Sequence, residues 1–234
     1  MTTLIRQLVI VVPARDEEKT IARCLDALEQ AVARLHSARP IDGPEVRIVV
    51  VLDRCVDGTA GVVARRPSVD FLAISAGKVG VARSRGIERA LADSAFAPEN
   101  IWIANTDADS AVPADWLCVQ LEAAEAGHGV LLGAVRPDEE GLDAERLAHY
   151  LLRHPLRESH RNVHGANLGV RADHYLAGGG FAPVATGEDA ALVAKLESLG
   201  VDVVSTARAA VLTSSRLLGR APDGYAGVLR AVAG

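Results

Sequence analysis

Two aspartates close an apolar stretch near the middle of the chain, in Ile101-Trp102-Ile103-Ala104-Asn105-Thr106-Asp107-Ala108-Asp109. Carboxylates spaced i and i+2 where a buried strand runs out can both reach one oxygen-liganded cation, Mg²⁺ or Mn²⁺. A cation held there bridges the oxygens of a diphosphate. Asp-X-Asp by itself is also the makeup of a solvated turn, so its weight depends on its surroundings. A second run, Val46 to Leu52, ends at Asp53, with Asp57-Gly58-Thr59 beyond. Asp53 suits charge-assisted hydrogen bonds to a base or a ribose hydroxyl. Asp57 reads as a helix-start residue. A third run stops at Pro13-Ala14-Arg15-Asp16-Glu17-Glu18. Glu18 suits a helix N-terminus. Pro13, Ala14 and Arg15, with Glu17 behind them, lie at a strand's carboxyl end, where ligands of open α/β sheets sit.

A fourth pattern, Gly178-Gly179-Gly180-Phe181, leads to Thr186-Gly187-Glu188-Asp189. Two readings stand. Thr186 caps a helix whose first turn carries acids, or Asp189 takes a proton from an acceptor hydroxyl as general base, with Glu188 beside it at the substrate. His164, in His164-Gly165-Ala166-Asn167, is a metal ligand, an acceptor contact or an ordinary histidine. Arg216 and Arg220 follow the last apolar run. A guanidinium suits diphosphate oxygens, and a tail of this kind can close over a donor; a solvated basic tail is the alternative.

The elements that position these groups alternate. Leu8–Val12, Val46–Leu52, Phe71–Ile74 and Ile101–Ala104 read as buried strands, and helical periods follow them at 21–35, after Thr59 and at 79–91. Such alternation predicts a layered α/β domain with a parallel sheet. After Asp109 the rhythm changes. Helices are expected at 113–126, 142–159 and 186–199, and strands at 130–135, 166–170, 201–205 and 209–212. One domain is expected, with a nucleotide-binding half to about residue 110 and an acceptor-binding half after it.

The 234 residues carry 25 basic and 30 acidic side chains for a net charge of −5, and only 3% are aromatic. No basic field and few stacking platforms argue against nucleic acid as a partner. Three scattered cysteines give no disulfide framework or metal pair. No apolar run has the length of a membrane span. The expectation is a cytoplasmic protein whose acceptor is its one route to a membrane.

Taken in order, these features resemble the family 2 glycosyltransferases of GT-A fold. The strand-end turn Pro13-Ala14-Arg15-Asp16-Glu17, the Asp53…Asp57-Gly58-Thr59 segment, Ala82-Arg83-Ser84-Arg85-Gly86, the Asp-X-Asp and the Gly-Gly-Phe…Glu-Asp pair carry the resemblance over roughly residues 7 to 200. It implies a GT-A-like, Rossmann-type mixed sheet flanked by helices. It also implies a UDP- or GDP-sugar donor, nucleoside contacts from Pro13, Ala14 and Asp53, a donor-side Arg83, and a cation and diphosphate on Asp107 and Asp109. Asp189 is the implied base of an inverting, single-displacement transfer. Leu52 and Arg54-Cys55 depart from the family's Asp-Asp-Gly-Ser, which puts the base contact in question. No Gln-X-X-Arg-Trp follows Glu188-Asp189, which argues against a processive synthase. Two other functions compete. A sugar nucleotidyltransferase needs a glycine-rich loop after the first strand, and Pro13–Glu17 lacks the glycines. A silent nucleotide-sugar binding module would have no use for Asp189.

Overall fold

A computed structural model of the chain describes residues 4–138, 145, 147–148, 152, 156–184 and 186–216. Its eight strands are β1 (Gln7–Ala14), β2 (Glu45–Asp53), β3 (Val69–Ile74), β4 (Ile101–Asn105), β5 (Ser110–Ala111), β6 (Val130–Pro137), β7 (Leu168–Arg171) and β8 (Val203–Thr213). They form one sheet in the order β3-β2-β1-β4-β7-β6-β8-β5. The helices whose bounds fall within the described residues are α1 (Ile21–Ala38), α2 (Thr59–Val63), α3 (Val79–Ala92), α4 (Trp116–Glu125), α5 (Ala172–Ala177) and α6 (Glu188–Ser198). Strands β1 to β4 are parallel, and β7 runs antiparallel to both β4 and β6. This is a mixed α/β sheet flanked by helices, as the sequence led one to expect. Among the described residues no helix is long and apolar enough to cross a membrane.

Period-two alternation explains the layers. Leu8, Ile10 and Val12 of β1 face a core shared with Ile21, Leu25, Leu28 and Leu35 of α1 and Trp116, Leu117 and Leu121 of α4. Val9 and Val11 face the opposite core, with Ala82, Ile87 and Ala90 of α3, Tyr175 of α5 and Leu192, Val193 and Leu196 of α6. Both faces being covered, the central strands read as unbroken apolar runs. Proline fits inside β1 for a local reason. Thr106 N–H donates to the Val11 carbonyl (3.3 Å), so the backbone of residue 13, two further on, also faces the β4 side. There β4 has already ended at Asn105, and the missing N–H of Pro13 costs no ladder bond.

The second half is joined through a buried polar network. Trp102 Nε1 donates to Gln120 (2.7 Å), Trp116 Nε1 donates to Asn167 Oδ1 (2.8 Å), and Asn167 Nδ2 donates to the Ala134 carbonyl (2.8 Å). A Cβ on Gly133 would lie 2.1 Å from Asn167 Cγ, so this glycine is what admits the amide.

Several expected elements are corrected. Of the expected helix at 142–159, residues 145, 147, 148 and 152 are helical and 156–159 form an irregular turn beyond Pro155; the rest of that span lies outside the described residues. The expected strands 201–205 and 209–212 are one strand, β8. Its register against β6 breaks between Gly133 and Val135, with Ala209 at φ 50°. Residues 165–167 are a short 3₁₀ turn before β7, and α4 begins at Trp116, after Pro113. Helix α5 and the two-residue β5 had no clear sequence signal.

Gly86 of α3 gives a test of the packing between α3 and the sheet. A Cβ there would meet Val11 Cγ1 at 2.6 Å and Val51 Cγ2 at 2.8 Å. Gly86→Ala is expected to destabilise by about 1–3 kcal/mol despite its better helix propensity. Gly61→Ala, whose Cβ meets only Arg65 Nη1 at 3.8 Å, should be neutral or stabilising by up to about 1 kcal/mol. Urea melts with an unchanged slope check both.

Candidate functional site

The carboxyl ends of β1, β2 and β4 open on one side of the sheet, and two loops there are laced together. Val56 N–H donates to Asp16 (2.8 Å), Gly58 N–H to Glu18 (2.8 Å), Glu18 N–H to Asp57 (3.1 Å) and Glu17 N–H to Thr59 Oγ1 (2.8 Å). Asp57 also accepts Thr59 N–H at the start of α2 (2.9 Å). Asp57 thus stands at a helix start, as expected, whereas Glu18 lies outside the first turn of α1 and serves to tie the two loops together. These bonds fix the turn after Pro13, Ala14 and Arg15 against the end of β2. Asp53 is buried there, and its Oδ1 accepts Gly77 N–H (2.9 Å). Arg54, at φ 58°, lays its guanidinium against Gly77 and donates to the Ser75 carbonyl (3.2 Å). The departure from the family's Gly-Ser thus braces the loop that carries Gly77.

Arg83 lies at the centre. It sits on α3, 2% exposed, and its Nη2 contacts Asp107 Oδ1 at 2.6 Å. Its Nε faces Glu188 Oε1 at 3.4 Å, and its guanidinium lies 5.9 Å from the Phe181 ring centroid. Burial opposes its charge, but Asp107, Glu188 and Asp189 outweigh burial and raise its pKa. Burial also pushes the Glu188 carboxyl up, against the pull of Arg83. Arg83 Nη1 is buried without a hydrogen-bond partner, an unmet donor inside the site. Gly165 packs on this guanidinium; a Cβ there would lie 2.5 Å from Nη2.

Asp189 stands in the first turn of α6, beside Glu188. Gly187 at φ 76° takes the N-cap position, and no side chain caps the helix, so Thr186 does not play the capping part considered for it. Asp189 Oδ2 accepts Gly165 N–H at 2.7 Å, which fixes the carboxylate and leaves its direction set by backbone. His164 immediately precedes that glycine.

On the other side, Asp109 Oδ2 meets Arg216 Nη2 at 2.9 Å, and Arg216 Nη1 meets Glu17 Oε1 at 2.8 Å. Burial, then Asp107, raises the Asp109 pKa to about 6; Arg216 opposes the rise and Glu17 adds to it. Cys24 lies beneath, its Sγ donating to the Asp107 carbonyl at 3.4 Å. Burial and the same three acids push its thiol far up, so it is packing and not a nucleophile.

The structure therefore brings together Glu17, Arg83, Asp107, Asp109, Glu188, Asp189 and Arg216. Pro13, Ala14, Arg15 and Asp53 stand on the adjoining strand ends. Arg220 lies outside the described residues. Among the described residues no group of three or more His, Cys, Asp or Glu side chains is arranged to hold a metal ion, and Asp107, Asp109 and His164 are not assembled as one. Two carboxylates at a strand end nevertheless fit a cation that arrives already carried by a diphosphate, whose oxygens fill other positions. Sequence reasoning missed Gly165 as the anchor of Asp189, and the pairing of Glu17 with Arg216. The latter residues are 199 apart in the chain, and no local pattern joins them.

The family model "Glycosyl transferase family 2" matches residues 9–178, more than half of the chain. The chain belongs to that family, and its fold is the GT-A fold of glycosyltransferases. The solved structures it resembles include TarS of S. aureus in complex with UDP-GlcNAc, at 16% identity and TM-score 0.67, over 94% of this chain and 61% of that one. The mannosyltransferase PcManGT from Pyrobaculum calidifontis, in complex with GDP-Man and Mn²⁺, aligns at 19% identity and TM-score 0.60, over 91% and 57%. Glucosyl-3-phosphoglycerate synthase from Mycobacterium tuberculosis, with Mn²⁺, UDP and glucosyl-3-phosphoglycerate, aligns at 15% identity and TM-score 0.55, over 97% and 77%. The chain thus spans about three fifths of the TarS and PcManGT chains. No curated protein sequence matches it.

Arg83 supplies a stability test of the site. Arg83→Met leaves Glu188 and Asp107 facing each other without their buried cation, and is expected to cost about 3 kcal/mol. Arg83→Met with Glu188→Gln should recover at least about 1 kcal/mol of this, because the stranded charge is removed. Denaturant unfolding of the two variants makes the comparison.

Proposed function

We propose that the chain is a metal-dependent, inverting, non-processive glycosyltransferase that moves a sugar from a UDP- or GDP-sugar to an acceptor hydroxyl. The observation that carries this reading is the convergence, in a family 2 chain, of the Asp107–Asp109 turn with the Glu188–Asp189 turn, Asp107 and Glu188 sharing the buried Arg83 guanidinium and Asp189 held by Gly165 N–H. The neighbours' ligands, UDP-GlcNAc, GDP-Man with Mn²⁺, and UDP with Mn²⁺, support the donor and cation classes.

On this reading the ends of β1 and β2 take the nucleoside, with Pro13, Ala14 and Asp53 in contact and Arg15 and Glu17 flanking. Asp107 and Asp109 hold Mg²⁺ or Mn²⁺, which when bound screens the diphosphate and stabilises it as a leaving group. Residues after about 110 form the acceptor side, with His164 and Glu188 lining it. Asp189 takes the proton of the acceptor hydroxyl. The acceptor oxygen bonds to the anomeric carbon as the bond to the diphosphate oxygen breaks, and configuration inverts. Gly165 N–H holds the carboxylate in place through the step. Arg216 reaches the diphosphate, where charge grows as the sugar bond breaks. A cytoplasmic setting, where nucleotide-sugars are consumed without export, belongs to the same proposal.

Two substitutions separate binding from chemistry. Asp109→Asn should weaken Mn²⁺-dependent nucleotide binding by at least about 1.4 kcal/mol, tenfold; unchanged calorimetric affinity with and without chelator would refute the cation assignment. Asp189→Asn should bind donor as the unsubstituted protein does and lose roughly 10²-fold or more in turnover. Near-normal transfer by that variant would remove Asp189 from the role of base.

A further inference from the structure

Two arginines already pair with four acids of the site. Arg83 lies against Asp107 and Glu188, and Arg216 bridges Glu17 and Asp109. The two arginines differ in what holds them. Arg83 is in the middle of α3, packed beneath Gly165 and 2% exposed, so its guanidinium is part of the framework. Arg216 stands three residues beyond the last strand, and its side chain is 38% exposed while the acids it clasps are 6% and 11% exposed. The segment before it is seated on the Asp-X-Asp turn itself. Ser110 pairs with Thr213 in the sheet, their hydroxyls are 2.9 Å apart, and Thr213 and Ser215 are buried. The strand end is therefore fixed, and the guanidinium is the part free to exchange partners.

We propose that Arg216 is a resident counter-cation of the Glu17–Asp109 pair, and that a divalent cation and a nucleoside diphosphate displace it together. This rests on the function proposed above and adds a rule about ligand entry. A divalent cation approaching Asp109 alone has to expel a guanidinium that gains no new partner. A diphosphate approaching alone meets Glu17, Asp107 and Asp109, and draws Arg216 away only by uncovering two buried carboxylates. When both arrive, the cation takes over Asp109 and the guanidinium moves onto the diphosphate. Each ligand then relieves the cost of the other. By linkage the coupling is the same whichever ligand is added first. Arg216 thus holds the site closed to free cations and makes the cation–diphosphate pair the species that binds.

Calorimetry of the full chain tests this, with Mn²⁺, UDP and GDP as probes and electron paramagnetic resonance to count free Mn²⁺. In the unsubstituted protein, saturating UDP or GDP should tighten Mn²⁺ at least about tenfold. Arg216→Gln should shift the two affinities in opposite directions. Mn²⁺ alone binds at least about fivefold tighter, because the acids are uncovered, and the nucleotide in saturating Mn²⁺ binds at least about fivefold weaker, because its guanidinium is gone. Arg216→Lys keeps the charge and loses the two-pronged bridge, and should show the same pair of shifts at about twofold or more; it decides the matter if Arg216→Gln fails to fold by circular dichroism. Mn²⁺ affinity unchanged in both variants, or both ligands shifting the same way, overturns the proposal. Absence of any nucleotide binding to the unsubstituted protein defeats the glycosyltransferase reading instead, and the Mn²⁺ comparison still decides whether Arg216 guards the acids.

Discussion

The buried guanidinium of Arg83 is the interaction on which the arrangement depends. It comes from a helix of the parallel half, yet it contacts the end of β4 through Asp107, the start of α6 through Glu188, and the backbone before β7 through Gly165. Those three segments are far apart in sequence and include both the proposed cation ligands and the proposed base. A guanidinium with no water around it is stable only with acids close by. The need to satisfy one charge thus fixes the distance between the two chemistries. Two glycines make the approach possible. A side chain on Gly165 would strike Arg83, and one on Gly80 would lie 2.3 Å from the Ala182 carbonyl.

The sheet serves the same end. Parallel strands β1, β2 and β4 deliver three chain ends to one edge, which is how an open α/β sheet makes a crevice. β7 then runs backward between β4 and β6, so that residues just before it, including Gly165, also arrive at that edge. A further parallel strand would present its N-terminal end on the opposite side. The polar network around Asn167 sits where this reversal occurs and ties β6, β8 and α4 together. Its buried groups tolerate few alternative registers, since each slip strands an amide or an indole N–H.

Legibility followed the range of the interactions. The ends of β2 and β4 were readable because an apolar run and the polar residue that stops it are contiguous, at Asp53 and Asn105; β1 runs through Pro13, where a stop was expected, to Ala14, and all three strands needed only a residue or two added at their ends. The helices α1 and α3 were readable from their apolar period. By contrast, β8 reads as two strands because Thr206 to Arg208 interrupt its apolar pattern, and the sheet absorbs the interruption as a register break against β6. Helix α5 is six residues long, too short to declare a period. At the site, the types of residue were legible and their partners were not. Nothing near Arg83 says that it pairs with Glu188, and nothing near Arg216 says that it reaches Glu17. Such pairs exist only after the chain has closed.

The electrostatic state of the site follows from these same constraints. Glu17, Asp107 and Asp109 cluster because the ends of β1 and β4 converge, and burial raises Asp109 to about 6, close to the range where cells keep their pH. A fold selected for stability alone would avoid this, since like charges held in a poorly solvated place oppose folding. Two arginines reduce the penalty without removing it. What remains is a pocket edge that favours added positive charge and a donor, Arg83 Nη1, still without a partner. Both features are what a cation-carrying anionic ligand supplies: positive charge for the acids, and oxygen for the guanidinium. The imbalance left in the site is therefore complementary to the ligand proposed for it, and the structure is held together by the same charges that such a ligand would engage.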